Sequence, residues 1–310
     1  MAEIDVREIN RLLENPEEAI EKAEMAYLAF ITSVAKRVKE SNKIRIILLA
    51  GPSGSGKTTS ANMISDALTA SGVPSIVLSL DDFYRDAKDP EYPRTEDGER
   101  DFESPLALDL PELTETLTKI SNEEEFFIPK YDFKVGGRVK VIKHEKMLHG
   151  CVVIEGLHAL NPLIFEKLCK EKLLKVFISV STNVNDGEDR LISGRKIRFV
   201  RRMVRDSIYR GADAEKTLSM WKNVLIGEDE HLYPNRKYAD IEYDTFHAYE
   251  PGVMSPFAER LISPELAERD PYAGTVLTAL KRVKKIPESL VPNGSLIREF
   301  IPGGKYEDLY

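Results

Sequence analysis

Within Gly51-Pro-Ser-Gly-Ser-Gly-Lys-Thr58, three glycines, a lysine and a hydroxyl fall at a spacing that can hold phosphate. Glycine at 51, 54 and 56 lets successive backbone N–H groups turn inward and form a nest for an anion. A helix starting beside Thr58 would aim the positive end of its dipole at the same point. Lys57 would set an ammonium on the terminal phosphates, and the Thr58 hydroxyl could ligate Mg²⁺. The pattern is G-x-x-x-x-G-K-[ST], the P-loop. Gly51, Pro52, Ser53, Gly54, Ser55, Gly56, Lys57, Thr58 and Thr59 are therefore the expected cradle for ATP. A glycine-rich turn with a chance lysine is the bland alternative. The apolar run Ile44-Arg-Ile-Ile-Leu-Leu-Ala50 before the motif and the helix-like residues 58–70 after it supply the strand–loop–helix setting that argues against it.

Two acidic positions end other strand-like runs. Asp81, in Ser79-Leu-Asp-Asp-Phe-Tyr84, is placed to take the proton of an attacking hydroxyl or to hold Mg²⁺. A turn or helix cap is the competing reading. Glu155 closes Cys151-Val-Val-Ile-Glu155 as a Walker B carboxylate would, and so joins Thr58 and Asp81 as a Mg²⁺ position. Between Arg195 and Arg210, seven of sixteen residues are basic. At helical spacing Arg198, Arg202 and Arg205 share one face, with Ile197, Val200, Val204 and Ile208 on another. Such a row can clamp a phosphoryl group in transfer, whereas the bland reading is a solvated basic face. The five histidines show no metal-ligand spacing; His158, just after Glu155-Gly-Leu, could line the site, against the plainer reading of a structural or surface histidine.

The elements that must position these residues alternate. Strands are expected at Ile44–Leu49, Ser75–Leu80, Cys151–Glu155, Leu174–Val180 and Tyr238–Tyr243, most of them continuously apolar, as in a parallel sheet covered by helices on both faces. Ligands of such sheets lie at the carboxyl ends of the strands, where Gly51, Asp81 and Glu155 fall. A hairpin is expected from Phe126–Phe133 and Arg138–Ile142, a helix over Lys196–Arg210, and mobile chain over 182–195. Residues 1–42 predict two helices broken at Asn15-Pro16, a helical N-terminal extension; 43–245 form the α/β domain, with a lid at about 182–212; 246–310 form a helical C-terminal appendage.

With 310 residues and a net charge of −8, the chain lacks the basic surplus of a polynucleotide binder, so nucleic acid is not an expected partner. Two cysteines give neither a disulfide framework nor a zinc pattern. No secretory signal and no membrane-length apolar run is seen, and a cytoplasmic protein is expected.

In order along the chain, Gly51–Thr59, Ser79–Tyr84, Asp101-Phe-Glu-Ser-Pro105, Pro129-Lys-Tyr-Asp-Phe133, Val153-Ile-Glu-Gly156, Arg201-Arg-Met-Val-Arg-Asp206 and Lys237-Tyr-Ala-Asp240 resemble the uridine kinase and phosphoribulokinase family of P-loop kinases. The resemblance covers roughly 43–245 and implies a P-loop NTPase-type fold with ATP as phosphate donor and Mg²⁺. It implies a catalytic base at Asp81, a ribose-binding carboxylate at Glu103, and aromatic pocket walls at Tyr84, Tyr131 and Phe133. It also implies lid arginines at Arg202, Arg205 and Arg210. Ala258-Glu-Arg260 and Pro292–Phe300 resemble a bacterial branch described as uridine or nucleoside kinases. The family allows a homo-oligomer, for which no residue here speaks. Three base-reading positions depart from uridine kinases: Gly136, Ala212 and Met220 replace polar groups. The expected activity is phosphoryl transfer to a small-molecule hydroxyl, a nucleoside first, with a sugar or polyol as the alternative. An NTP-driven regulatory switch is a third reading, disfavoured by the acidic charge and by the lack of an N-K-x-D motif.

Overall fold

A computed structural model describes residues 2–95, 98–132 and 135–309. Its strands are β1 (Glu3–Asp5), β2 (Ile46–Ala50), β3 (Ser75–Ser79), β4 (Phe126–Asp132), β5 (Gly137–His144), β6 (Cys151–Glu155), β7 (Leu173–Ser179), β8 (Asn183–Asp186), β9 (Asp189–Ile192) and β10 (Ile241–Asp244). Its α-helices are α1 (Val6–Leu12), α2 (Pro16–Ser41), α3 (Lys57–Ala70), α4 (Leu110–Ser121), α5 (Pro162–Phe165), α6 (Gly194–Tyr209), α7 (Ala214–Gly227), α8 (Glu250–Leu261), α9 (Pro264–Arg269) and α10 (Pro271–Leu280).

Five strands form one all-parallel sheet in the order β10-β7-β2-β6-β3. Every residue of β2 and of β6 is buried, because both faces are covered. Along β2 the side chains alternate: Ile47 and Leu49 join one core, Ile46, Leu48 and Ala50 the other. The first core is roofed by α1, α2, α3, α6, α8 and the segment up to Ile301; the second by α4, α5 and the root of the β4–β5 hairpin. Apolar residues on both sides of the strands thus demand helices on both sides of the sheet.

Register decides what meets at the carboxyl edge. Glu155 pairs with Leu49 on one side and Ser79 on the other. The acid therefore sits level with the residues two before Gly51 and two before Asp81, on strands about 5 Å apart. The chain enters its P-loop from the central strand, where the order of connections reverses.

Some expectations need correction. Residues 182–195 are not loose chain: β8 and β9 form a hairpin that adds β1 as a third strand, with Val184 and Ile192 buried. Two of the segment's polar residues, Thr182 and Asn183, are buried with hydrogen bonds to Asp244 and Gly194, so its polarity hid a packed element. The last strand of the main sheet begins at Ile241, because Tyr233–Tyr238 coil into a 3₁₀ turn before it. Beyond Leu280 the chain runs in short 3₁₀ turns with no further α-helix among the described residues. Helix α2 packs along α3, where Tyr27 and Ser60 share a hydrogen bond of 2.7 Å.

Candidate active site

Glycine is required at two points of the loop after β2. Gly54 has φ +74° and Gly56 φ +89°, and a Cβ at either would stand 2.7 Å from the Arg198 carbonyl oxygen or 2.5 Å from the Leu296 side chain. Gly56 caps α3, so the amides of Lys57, Thr58 and Thr59 are its orphan donors. Lys57 Nζ donates to the Pro52 carbonyl at 3.2 Å, resting on its own loop. The loop is braced from outside: Ser53 N donates to Glu228 Oε1 at 2.9 Å, and Thr245 Oγ1 donates to Ser55 O at 2.8 Å. The Thr59 amide donates to Glu299 Oε2 at 3.1 Å.

Asp81 follows β3 in a 3₁₀ turn and is exposed. Protein nonetheless crowds it, which pushes its carboxyl pKa up; Lys57 draws it down and Asp82 raises it further. Asp82 has another task, accepting from Lys130 Nζ. Glu155 is buried, accepts from Ser79 Oγ at 2.8 Å, and is pushed up to about 7, first by burial, with Lys57 opposing and Asp81 adding repulsion. The two acids and the P-loop lysine thus act on one another directly. Two crowded carboxylates beside a nest of N–H groups are hard oxygen donors that suit Mg²⁺, an ion usually held by one or two carboxylates plus phosphate oxygens. No group of three or more His, Cys, Asp or Glu placed to hold a metal occurs among the described residues.

Across from this edge, Tyr84 donates to the Phe102 carbonyl at 2.8 Å and its ring lies 5.7 Å from that of Tyr131. Glu103 is pushed up to about 7 by burial, with Arg202 opposing and Glu228, Asp101 and Asp81 reinforcing. Tyr84 and Glu103 thus lie near enough to Asp81 to feel its charge, and Tyr131 adjoins them through the Tyr84 ring. Phe133 lies outside the described residues. His158 is buried beside His231, and burial pulls its pKa down to about 3, so its ring is neutral.

Helix α6 divides its arginines in a way the spacing did not show. Arg198 does not join Arg202 and Arg205: it is fully buried and bidentate to Glu228 at 2.7 Å. Arg201 is likewise buried against Glu250 and donates to the Gly54 carbonyl. Both brace the loop from behind. Arg202, Arg205 and, from the C-cap, Arg210 converge on the buried carboxylate of Asp206, at 3.2, 3.4 and 3.4 Å, while Arg195 pairs with Asp229. Arg202 also donates to Ser53 Oγ at 2.9 Å.

The profile of the "Phosphoribulokinase / Uridine kinase family" matches residues 46–248, the stretch that carries the loop, both acids and the arginines. The chain belongs to this family. Uridine kinase-like protein 4 of Arabidopsis thaliana is 30% identical over 197 residues, 63% of this chain and 37% of its own length. Uridine-cytidine kinase-like 1 of Mus musculus is 31% identical over 206 residues, 65% of this chain and 34% of its own. Uridine kinase of Staphylococcus aureus (strain JH9) is 29% identical over 197 residues, 63% and 85% of the two chains. This chain spans about a third of the length of the first two. Among solved structures, a candidate fructose transport system kinase from Silicibacter sp. TM1040 overlays 69% of this chain and 98% of its own, at 18% identity and a TM-score of 0.48.

The structure places further acids against the loop and the arginines that the spacing did not reveal. Asp206 stood inside the basic run, and its role could have been read from its i,i+4 relation to Arg202 and Arg210. Glu228, Glu250 and Glu299 come from distant segments and carry no local signal.

Proposed function

We propose that this family member is an ATP- and Mg²⁺-dependent kinase, acting in the cytoplasm, that phosphorylates a hydroxyl of a small molecule, a nucleoside first. The observation that supports it is the shared carboxyl edge, where Glu155 pairs with Leu49, two residues before the P-loop, and with Ser79, two residues before Asp81. The amides of Lys57 and Thr58 at the start of α3 would hold the outer phosphates, and Lys57 would leave the Pro52 carbonyl to reach them. Asp81, exposed at the edge, would take the proton of the acceptor hydroxyl as it attacks. Thr58, Asp81 and Glu155 would hold Mg²⁺, which when bound neutralises charge on the phosphates. Arg202, Arg205 and Arg210, gathered by Asp206, would turn toward the transferred group and stabilise its charge. Glu103, Tyr84, Tyr131 and Phe133 would line the acceptor pocket, Glu103 by accepting from vicinal hydroxyls.

A second reading is favoured by three positions. Gly136, the buried Ala212 and the half-exposed Met220 offer no polar side chain to read a base, which suits a sugar or polyol acceptor. The test is ADP release, with ATP and Mg²⁺, against a panel of nucleosides, sugars and polyols. A nucleoside turned over best supports the first reading; a polyol alone supports the second; no acceptor giving ADP above the acceptor-free rate sinks both.

A further inference from the structure

The segment after Gly294 lies against the P-loop itself. Leu296, Ile297, Phe300 and Ile301 are completely buried, and Leu296 packs where any side chain at Gly56 would stand. Glu299 is buried too, with its two oxygens divided between Thr59 N at 3.1 Å and Arg205 Nη1 at 3.4 Å. The guanidinium of Arg201 sits 5.1 Å over the ring of Phe300. The segment is tied down at both ends. Ser295 Oγ donates to Glu24 at 2.6 Å, and Lys305 and Tyr306 both reach Asp66 on the far end of α3.

These partners are those of a phosphate. P-loop amides cradle the α- and β-phosphates of a bound nucleotide, and the negative end of any ligand there is drawn by the helix dipole. A carboxylate held by one first-turn amide and one arginine uses the same two kinds of donor. Thr59 is the deepest of these donors along α3, and the residues that crowd it are Glu299 at its amide and Leu296 beside Gly56.

We propose that residues 295–300 form an intrasteric strap, in which Glu299 stands in for a phosphoryl group at Thr59 and a nucleoside triphosphate binds only by displacing it. The proposal rests on the nucleotide-site reading above and adds a competitor built into the same chain. It also explains why Arg205, assigned to the phosphoryl clamp, is held by Glu299. A ligand with two phosphates and no nucleoside needs only the amides up to Thr58 and leaves the strap seated. Nucleotide affinity is then lowered by the fraction of molecules with the strap closed.

The test compares ATP with inorganic pyrophosphate, by calorimetry on the wild-type protein and on Glu299→Gln, which keeps the side chain's shape while removing its charge. Glu299→Gln should bind ATP about tenfold more tightly, with pyrophosphate affinity unchanged. Equal or weaker ATP binding by the variant, alongside normal pyrophosphate binding, overturns the strap and leaves the nucleotide site standing. Binding of neither ligand by either protein overturns both. Hydrogen exchange on the wild type gives an answer that does not depend on the variant folding. The amides of Arg298 and Phe300, bonded to Ser295 O and Ile297 O, should lose protection with saturating ATP and keep it with pyrophosphate. Protection that survives saturating ATP overturns the proposal.

Discussion

Arg198 and Glu228 face each other with no solvent exposure and hold Ser53 between them: Arg198 donates to its carbonyl at 2.8 Å, and Glu228 accepts from its amide at 2.9 Å. The P-loop is thus gripped from outside by an ion pair that never meets solvent. Removing one partner leaves a buried charge alone. Arg198→Ala or Glu228→Ala should each destabilise the fold by about 3–5 kcal/mol. The double change Arg198→Met with Glu228→Leu should lose much less. Urea unfolding of the three variants checks this; additive losses would show that the pair does not act as a unit.

Asp81 is open to solvent and to an incoming hydroxyl, whereas Asp82 and Glu155 are buried. Asp81→Asn should cut kcat by about 10²–10⁴ while the KM for ATP stays within a few-fold. Asp82→Asn should instead show up mainly in stability, since its partner is Lys130. Retained turnover in Asp81→Asn would remove it as the base.

The raised pKa of Glu155 fixes a sign for pH. Its folded value, about 7, lies above the ordinary carboxyl value of 4.5. The native state therefore binds more protons than the unfolded chain between those values, and stability from this group falls as pH rises through that window. Below the window both states are protonated and the group imposes no penalty. Glu155→Gln should accordingly melt with the wild type near pH 4 and several degrees above it at pH 8, in the absence of Mg²⁺. Mg²⁺ should narrow the gap at pH 8 by stabilising only the wild type. Coincident melting curves at both pH values would refute the assignment.

Arg202 touches Ser53 of the loop and Asp206 behind it. If its charge matters chiefly as the phosphoryl group moves, Arg202→Met should lower kcat by about 10²–10³ with little change in ATP affinity. Equal losses in kcat and affinity would make it a ground-state binding residue.

The sheet and the edge were legible because their signals are local. Apolar five-residue runs ending in Gly51, Asp81 and Glu155 announce both the strand and its functional tip. Arg198 was misread for the opposite reason. Helical spacing places it beside Arg202, but a partner thirty residues away, Glu228, draws it into the core. Hairpin β8–β9 escaped notice because its strands are four residues each and mostly polar in sequence, and its edge is completed by Glu3–Asp5, nearly the whole domain distant. Tertiary pairing of this kind leaves no period to detect.

The amide of Thr59 meets an acceptor 240 positions further along. A ribosome will have made the entire phosphate loop, its strand and its helix long before that acceptor emerges from the exit tunnel. Nascent chains must therefore wait with the first turn of that helix uncapped and the apolar groove beside Gly56 bare, a stage at which chaperone contact or premature association competes with maturation.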